Sequence, residues 1–218
     1  SPIFSRGTIT PLADNPNGPG ALAYRREYEG DSAIVLFNTA DQPVLLTEMQ
    51  TGLPEGTVLE VLFGIVNQEN IVVGPEGKIT MELAPREGMI LQPTDEVKEL
   101  TGVENAEITI DSNYTDGVVA ADFDITGTVT SPDTTVKVII NGNLASALET
   151  TADANGVFAA TVPISIFPPG VAANTATAYA PDLMVVSAAA PFTTEVTSTG
   201  ATVKLFDRAN DDTGRTGA

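Results

Sequence analysis

Residues 22–38 read LAYRREYEGDSAIVLFN. Tyrosine and β-branched residues suit a pleated backbone, and the acidic, glycine-centred EGD suits a chain reversal. The stretch is therefore a β-hairpin whose first strand, LAYRREY, carries two arginines among aromatics, and whose second, AIVLF, is continuously apolar before Asn38.

The same pattern recurs outward from this hairpin. QPVLLTEM (42–49), TVLEVLF (57–63), KITMELA (78–84) and GMILQP (88–93) follow, then EITIDS (107–112), DFDITGTVT (122–130), TVKVIING (135–142), GVFAATVPI (156–164) and TATAYA (175–180). Turn signals such as ADQP, GLPEG, GPEG, SPD, NGN, ADANG and PPG separate them at short spacing. Short strands at such spacing predict an all-β chain of antiparallel β-sandwiches, with very little helix.

The strand series breaks at PTDEVKELTGVENAE (93–107), which is charged and poor in large apolar residues. The boundary is placed near Lys98. This gives a first sandwich over residues 1–97, a second over 98–197, and a linker or the start of a further domain over 198–218. Both sandwiches have ordinary domain size, and hinge motion is expected at the charged boundary. In TVKVIING, Val136, Val138 and Ile140 fall on one face and Lys137 and Ile139 on the other, with Asn141-Gly142 as a tight hairpin turn. In ANGVFAATVPI the turn is Asn155-Gly156, and Phe158, Ala160 and Val162 alternate with exposed positions, so Phe158 is expected in the core.

Composition removes whole classes of function. The 218-residue chain has no cysteine, histidine or tryptophan, and its formal net charge is −19. Disulfides, thiolate nucleophiles, Ser-His-Asp triads and His- or Cys-ligated metals are excluded. Nucleic acid would be repelled, as would an anionic membrane surface. No apolar run approaches the ~20 residues that span a bilayer. The start, SPIFSRGTITPL, lacks the basic and apolar segments of a signal peptide. The acidic balance suits solubility in an extracellular or saline medium.

Several segments resemble known families. SRGTITPL (5–12), LAYRREYEGDSAIVLFNTADQPV (22–44) and ITMELAPREGMILQP (79–93) resemble, in order, the C-terminal β-sandwich domain of the alpha-amylase family of glycoside hydrolases. ITIDS (108–112), DGVV (116–119), ITGTV (125–129), VKVIING (136–142), ANGVFAATVPI (154–164) and ANTATAYA (173–180) resemble bacterial immunoglobulin-like repeats. FDRANDDTG (206–214) resembles the acidic opening of a carbohydrate-associated domain found after glucodextranases and amylopullulanases. These resemblances imply a non-catalytic accessory region of a larger secreted bacterial amylolytic enzyme. Its partners would be the catalytic barrel of the same parent chain and, through weak starch binding, an α-glucan. Tandem sandwich modules of a cell-surface adhesion or structural protein are the alternative.

Glycoside hydrolysis needs two facing carboxyl groups about 5–9.5 Å apart. The 29 Asp and Glu supply pairs by chance, but the βα repeats of a barrel are missing from the sequence pattern. No catalytic residue is therefore assigned. Sugar binding needs exposed aromatic faces. Tyr114, in the loop SNYTDG, is one candidate; Tyr24 and Tyr28 are others, although their spacing with Leu22 also reads as a core stripe. Tyr179 completes the tyrosines. Arg25 and Glu27 share a strand face and read as a rim ion pair, and Arg86 as a structural clamp or a contact to the barrel. No cofactor is required. A structural calcium would find oxygens at Asp207, Asn210, Asp211 and Asp212, or at Asp116, Asp122 and Asp124, although neither run has EF-hand spacing. Ile3 and Phe4 are expected to be exposed, or held by a neighbouring molecule.

Overall fold

The computed structural model describes residues 1–64, 70–100, 103, 105–111 and 118–197. A single turn of helix, α1 (Pro2–Arg6), opens the chain, with proline in its first turn. Eight strands follow: β1 (Thr8–Ala13), β2 (Ala21–Tyr28), β3 (Asp31–Asn38), β4 (Val44–Gln50), β5 (Thr57–Phe63), β6 (Ile71–Val72), β7 (Lys78–Leu83) and β8 (Gly88–Val97). They form a six-stranded sheet, ordered β1-β2-β3-β8-β5-β6, and a two-stranded sheet, β4-β7. The opening hairpin is β2-β3. Its reversal is only two residues long, Glu29 and Gly30, both at positive φ (51° and 92°). Such turns match the right-handed twist of the strands they join.

Alternation places Ala23, Ile34, Leu36, Met89 and Leu91 of the large sheet against Leu46, Met49, Ile79, Met81 and Leu83 of the small one. Asn38 is polar yet buried, because it satisfies the loops at its end of the sandwich. Its amide donates to the carbonyls of Gln42 (2.8 Å) and Ala84 (2.8 Å), and its oxygen accepts from Ala40 N–H at 2.9 Å. A buried polar side chain so matched costs little.

The remaining strands are β9 (Ile108–Ile110), β10 (Val118–Val119), β11 (Phe123–Val129), β12 (Thr135–Ile140), β13 (Leu148–Thr151), β14 (Val157–Val162), β15 (Gly170–Ala180), β16 (Val185–Val186) and β17 (Ala190–Val196). One sheet is β14-β11-β9; the other is β10-β17-β15-β12-β13, with β16 also on β15. Among the described residues, every strand pair is antiparallel except β10-β17, and none joins β1–β8 to β9–β17. A second core fills this pair of sheets. Val136, Val138 and Ile140 face Ile125, Phe158, Ala160 and Val162. Phe123, Phe167 and Phe192 close one end, with Phe167 and Phe192 edge-to-face at 5.8 Å. Gly127 lies directly under the Phe158 ring; a Cβ there would come within 2.5 Å of Phe158 Cζ.

Two turns differ from the sequence reading. Asn141 and Gly142 do take positive φ (52° and 71°) and Asn143 N–H closes the tight turn on Ile140 O at 2.9 Å, but the loop to the next strand is longer than a two-residue hairpin. The chain makes a 3₁₀ turn at Leu144–Ser146 before β13 pairs with β12. Asn141 also donates to Asn174 Oδ1 and accepts from Thr175 N–H, which ties the turn to β15. The turn at Asn155-Gly156 crosses between sheets, β13 lying in one and β14 in the other. Asp153 organises it by accepting from the backbone N–H groups of Asn155 (2.8 Å) and Val157 (2.9 Å).

Phe158 is 1% exposed. Phe158→Ala should cost about 3–5 kcal/mol, lost transfer energy plus cavity, read as a lower urea midpoint. A midpoint unchanged from wild type would remove Phe158 from the centre of the second core. The Asp153 carboxyl is held below its ordinary range, first by the Val157 N–H and then by that of Asn155. A depressed carboxylate stabilises above its unfolded pKa, about 3.9, and loses that contribution as pH falls through the folded value. Asp153→Ala should therefore melt below wild type at pH 7, and the gap should shrink as pH drops below about 4. A gap that is constant from pH 7 to pH 2.5 would contradict this.

Candidate functional site: the outer face of the first sheet

The strands that bury Ala23, Ile34, Leu36, Met89 and Leu91 must present their alternate residues on the other face. Register shows what they present. Tyr24 is opposite Val35, Val35 opposite Ile90, and Ile90 opposite Phe63. A parallel row holds Leu22, Phe37 and Gly88. Phe63 reaches this face through a β-bulge. Val61 pairs with Leu91 on the core side, but the next pair, to Ile90, skips Leu62. Bulges re-aim side chains in this way. Gly88 leaves room for the rings, since a Cβ there would touch Phe37 at 3.3 Å and Phe63 at 3.9 Å. Tyr24 and Phe37 stand with ring centroids 6.5 Å apart.

The result is an apolar band open to solvent. Phe63 is 63% exposed, Ile9 59%, Phe37 39% and Leu22 37%. Isolated exposed apolar residues are ordinary, whereas Leu22, Tyr24, Phe37 and Phe63 fall in adjacent rows of one face. The helix α1 lies on this same face. Arg26 donates to the carbonyls of Ile3 (3.3 Å) and Phe4 (2.8 Å), which holds the C-terminal end of α1 down. Ile3 is buried, while Phe4 stays 40% exposed. Only Phe4 meets the expectation of exposure. Ile3 is buried as part of a helix on the outer face, and not as a strand within the sandwich.

Tyr24 and Tyr28 belong to this outer face, so their stripe is not the core one that their spacing suggested. The core side of β2 carries Ala23 and Arg25 instead. Tyr28 accepts from Arg6 at 3.5 Å. Arg25 pairs with Glu27 at 3.2 Å, as its spacing predicted, and donates to Thr51 O at 2.8 Å. Arg86 is a clamp within its own sandwich, bonded to Asp41 (2.7 Å) and Thr39 O (2.6 Å). The hydrogen bond from Arg86, then its charge, hold the Asp41 carboxyl below the ordinary range. Tyr179 is buried, and that burial, followed by the charges of Glu82 and Asp182, pushes its phenol well up.

Asp122 accepts from Ile164 N–H (2.8 Å) and Asp124 from Thr161 (2.6 Å), so both have structural work. Among the described residues, no group of three or more Asp or Glu is arranged to hold a metal. Tyr114, Asp116 and the run Asp207, Asn210, Asp211 and Asp212 lie outside the described residues. Phe37 and Phe63 are the band residues that sequence reasoning missed. Phe37 sits in an unbroken apolar run without alternation, and the bulge that aims Phe63 leaves no sequence mark.

The class this fold defines is an all-β, sandwich-type protein. No family model matches the chain, and no curated protein does. Among solved structures, the trehalulose synthase MutB from Pseudomonas mesoacidophila MX-45 is similar at 23% identity over 43% of this chain, with a TM-score of 0.31. Its E254Q mutant in complex with the substrate sucrose gives 23%, 43% and 0.32. The chain covers 15% of the length of these proteins.

Because Phe63 is mostly exposed, Phe63→Ser should change stability by no more than about 0.5 kcal/mol. The same substitution should lower binding of a fluorescent apolar dye. A loss as large as that of Phe158→Ala would show that Phe63 is a core residue and not part of an open surface.

Proposed function

We propose that this chain is a non-catalytic accessory region of a secreted, bacterial alpha-amylase-type glycoside hydrolase. In this reading the first unit, residues 1–97, is the family's C-terminal-like sandwich, and its apolar band seals a flank of the catalytic barrel in the same parent chain. The second, residues 98–197, is an immunoglobulin-like spacer for further domains or the cell surface. The observation that carries the reading is the contrast between outer faces. The β9-β11-β14 face presents Thr109, Asp111, Asp124, Thr126, Thr128 and Thr161, hydrogen-bonded among themselves and suited to water. The β2-β3-β8-β5 face presents Leu22, Tyr24, Phe37 and Phe63, which water serves poorly. The ordered resemblance of residues 5–93 to an alpha-amylase C-terminal domain supports the same conclusion, and α1 leads into the chain on that face.

The three rings of Tyr24, Phe37 and Phe63 favour a second reading, in which the band stacks against an α-glucan. One set of experiments separates the two. Calorimetric titration with the parent's catalytic domain should show association, weakened at least tenfold by Phe37→Asp with Phe63→Asp, about 1.4 kcal/mol or more. Affinity electrophoresis in soluble starch should leave the band unretarded. A parent gene without roughly 250 residues of βα repeats would overturn the accessory reading. Retardation that the double variant abolishes would favour the glucan.

A further inference from the structure

The outer face of the small sheet is not open to water either. Leu45 and Glu82 are register partners across β4 and β7, and both point away from the first core. Facing them are Lys137 and Ile139 of β12 with Tyr179 of β15, the register partner of Lys137. Lys137 Nζ meets Glu82 Oε1 at 2.5 Å, with the two side chains only 25% and 33% exposed. Ile139, Leu144 and Tyr179 form a small buried cluster against which Leu45, Ala147 and Val186 pack. A second contact lies to one side. Met184, in a left-handed conformation (φ 56°), reaches Gly74, where a Cβ would stand 3.3 Å from its Cε.

A single contact between two bodies leaves rotation about it, whereas two separated contacts remove most of it. We infer that β1–β8 and β9–β17 move as one body, held by the Lys137–Glu82 pair, the Leu45–Ile139–Leu144–Tyr179 contact and Met184 seated on Gly74. The hinge motion expected at the charged boundary is then suppressed. The chemistry is specific: reversing either charge of this half-buried pair sets two like charges against each other. The inference holds whether or not the first unit docks on a barrel.

Residual dipolar couplings of the full chain test it. In the wild type, one alignment tensor should fit the amides of both units. Glu82→Lys and Lys137→Glu should each require two tensors, and the double swap should return to one. Gly74→Phe, which would push Met184 away, should also require two. A good fit of each unit's couplings to a single tensor of its own reports that the variants remain folded. Two tensors in the wild type would overturn the inference, as would one tensor in every variant.

Discussion

A β-strand cannot hide one face without showing the other, and a sandwich multiplies that constraint by four. Each pair of sheets buries two faces in its core and leaves two outside. The distribution of apolar side chains on those outer faces therefore says what each must meet. In this chain the four outer faces differ in kind. The threonine and aspartate face of β9-β11-β14 meets water. The face holding Leu45 and Glu82 meets the one holding Lys137, Ile139 and Tyr179. The large face of β2-β3-β8-β5 remains apolar and open.

The open face is built by three local features acting together. The bulge at Leu62 turns Phe63 outward, Gly88 removes the side chain that would hold the rings off the sheet, and α1 is held beside Arg26. Arg26 supports this by adding side-chain donors at the Ile3 and Phe4 carbonyls of α1, the first of which also accepts from Gly7 N–H. None of these features adds to the core. Their common effect is to keep a flat aromatic band accessible, and that effect is the physical basis for reading the first unit as a surface for something else.

The contact between the two pairs of sheets explains why Tyr179 is unsuited to binding a ligand. Its ring is part of an internal joint, and its hydroxyl is desolvated beside Glu82. The alternation of β12 placed Lys137 on a face with Ile139 and said nothing of what that face meets. Lys137 is the ion-pair partner of Glu82 in the joint.

Much of this was legible in the residues themselves. Period-two runs and glycine-rich turns determined an all-β chain, the shared face of Val136, Val138 and Ile140, the core position of Phe158, and the Arg25–Glu27 pair, because those depend on neighbours one or two residues away. Composition alone excluded histidine and cysteine chemistry. The tertiary structure decided which side of β2 was the core, where Asn141 found its partners, that a bulge aimed Phe63, and that Lys137 met Glu82. Those outcomes depend on atoms tens of residues apart in sequence, and alternation treats the two faces of a strand alike until a second sheet packs against one of them.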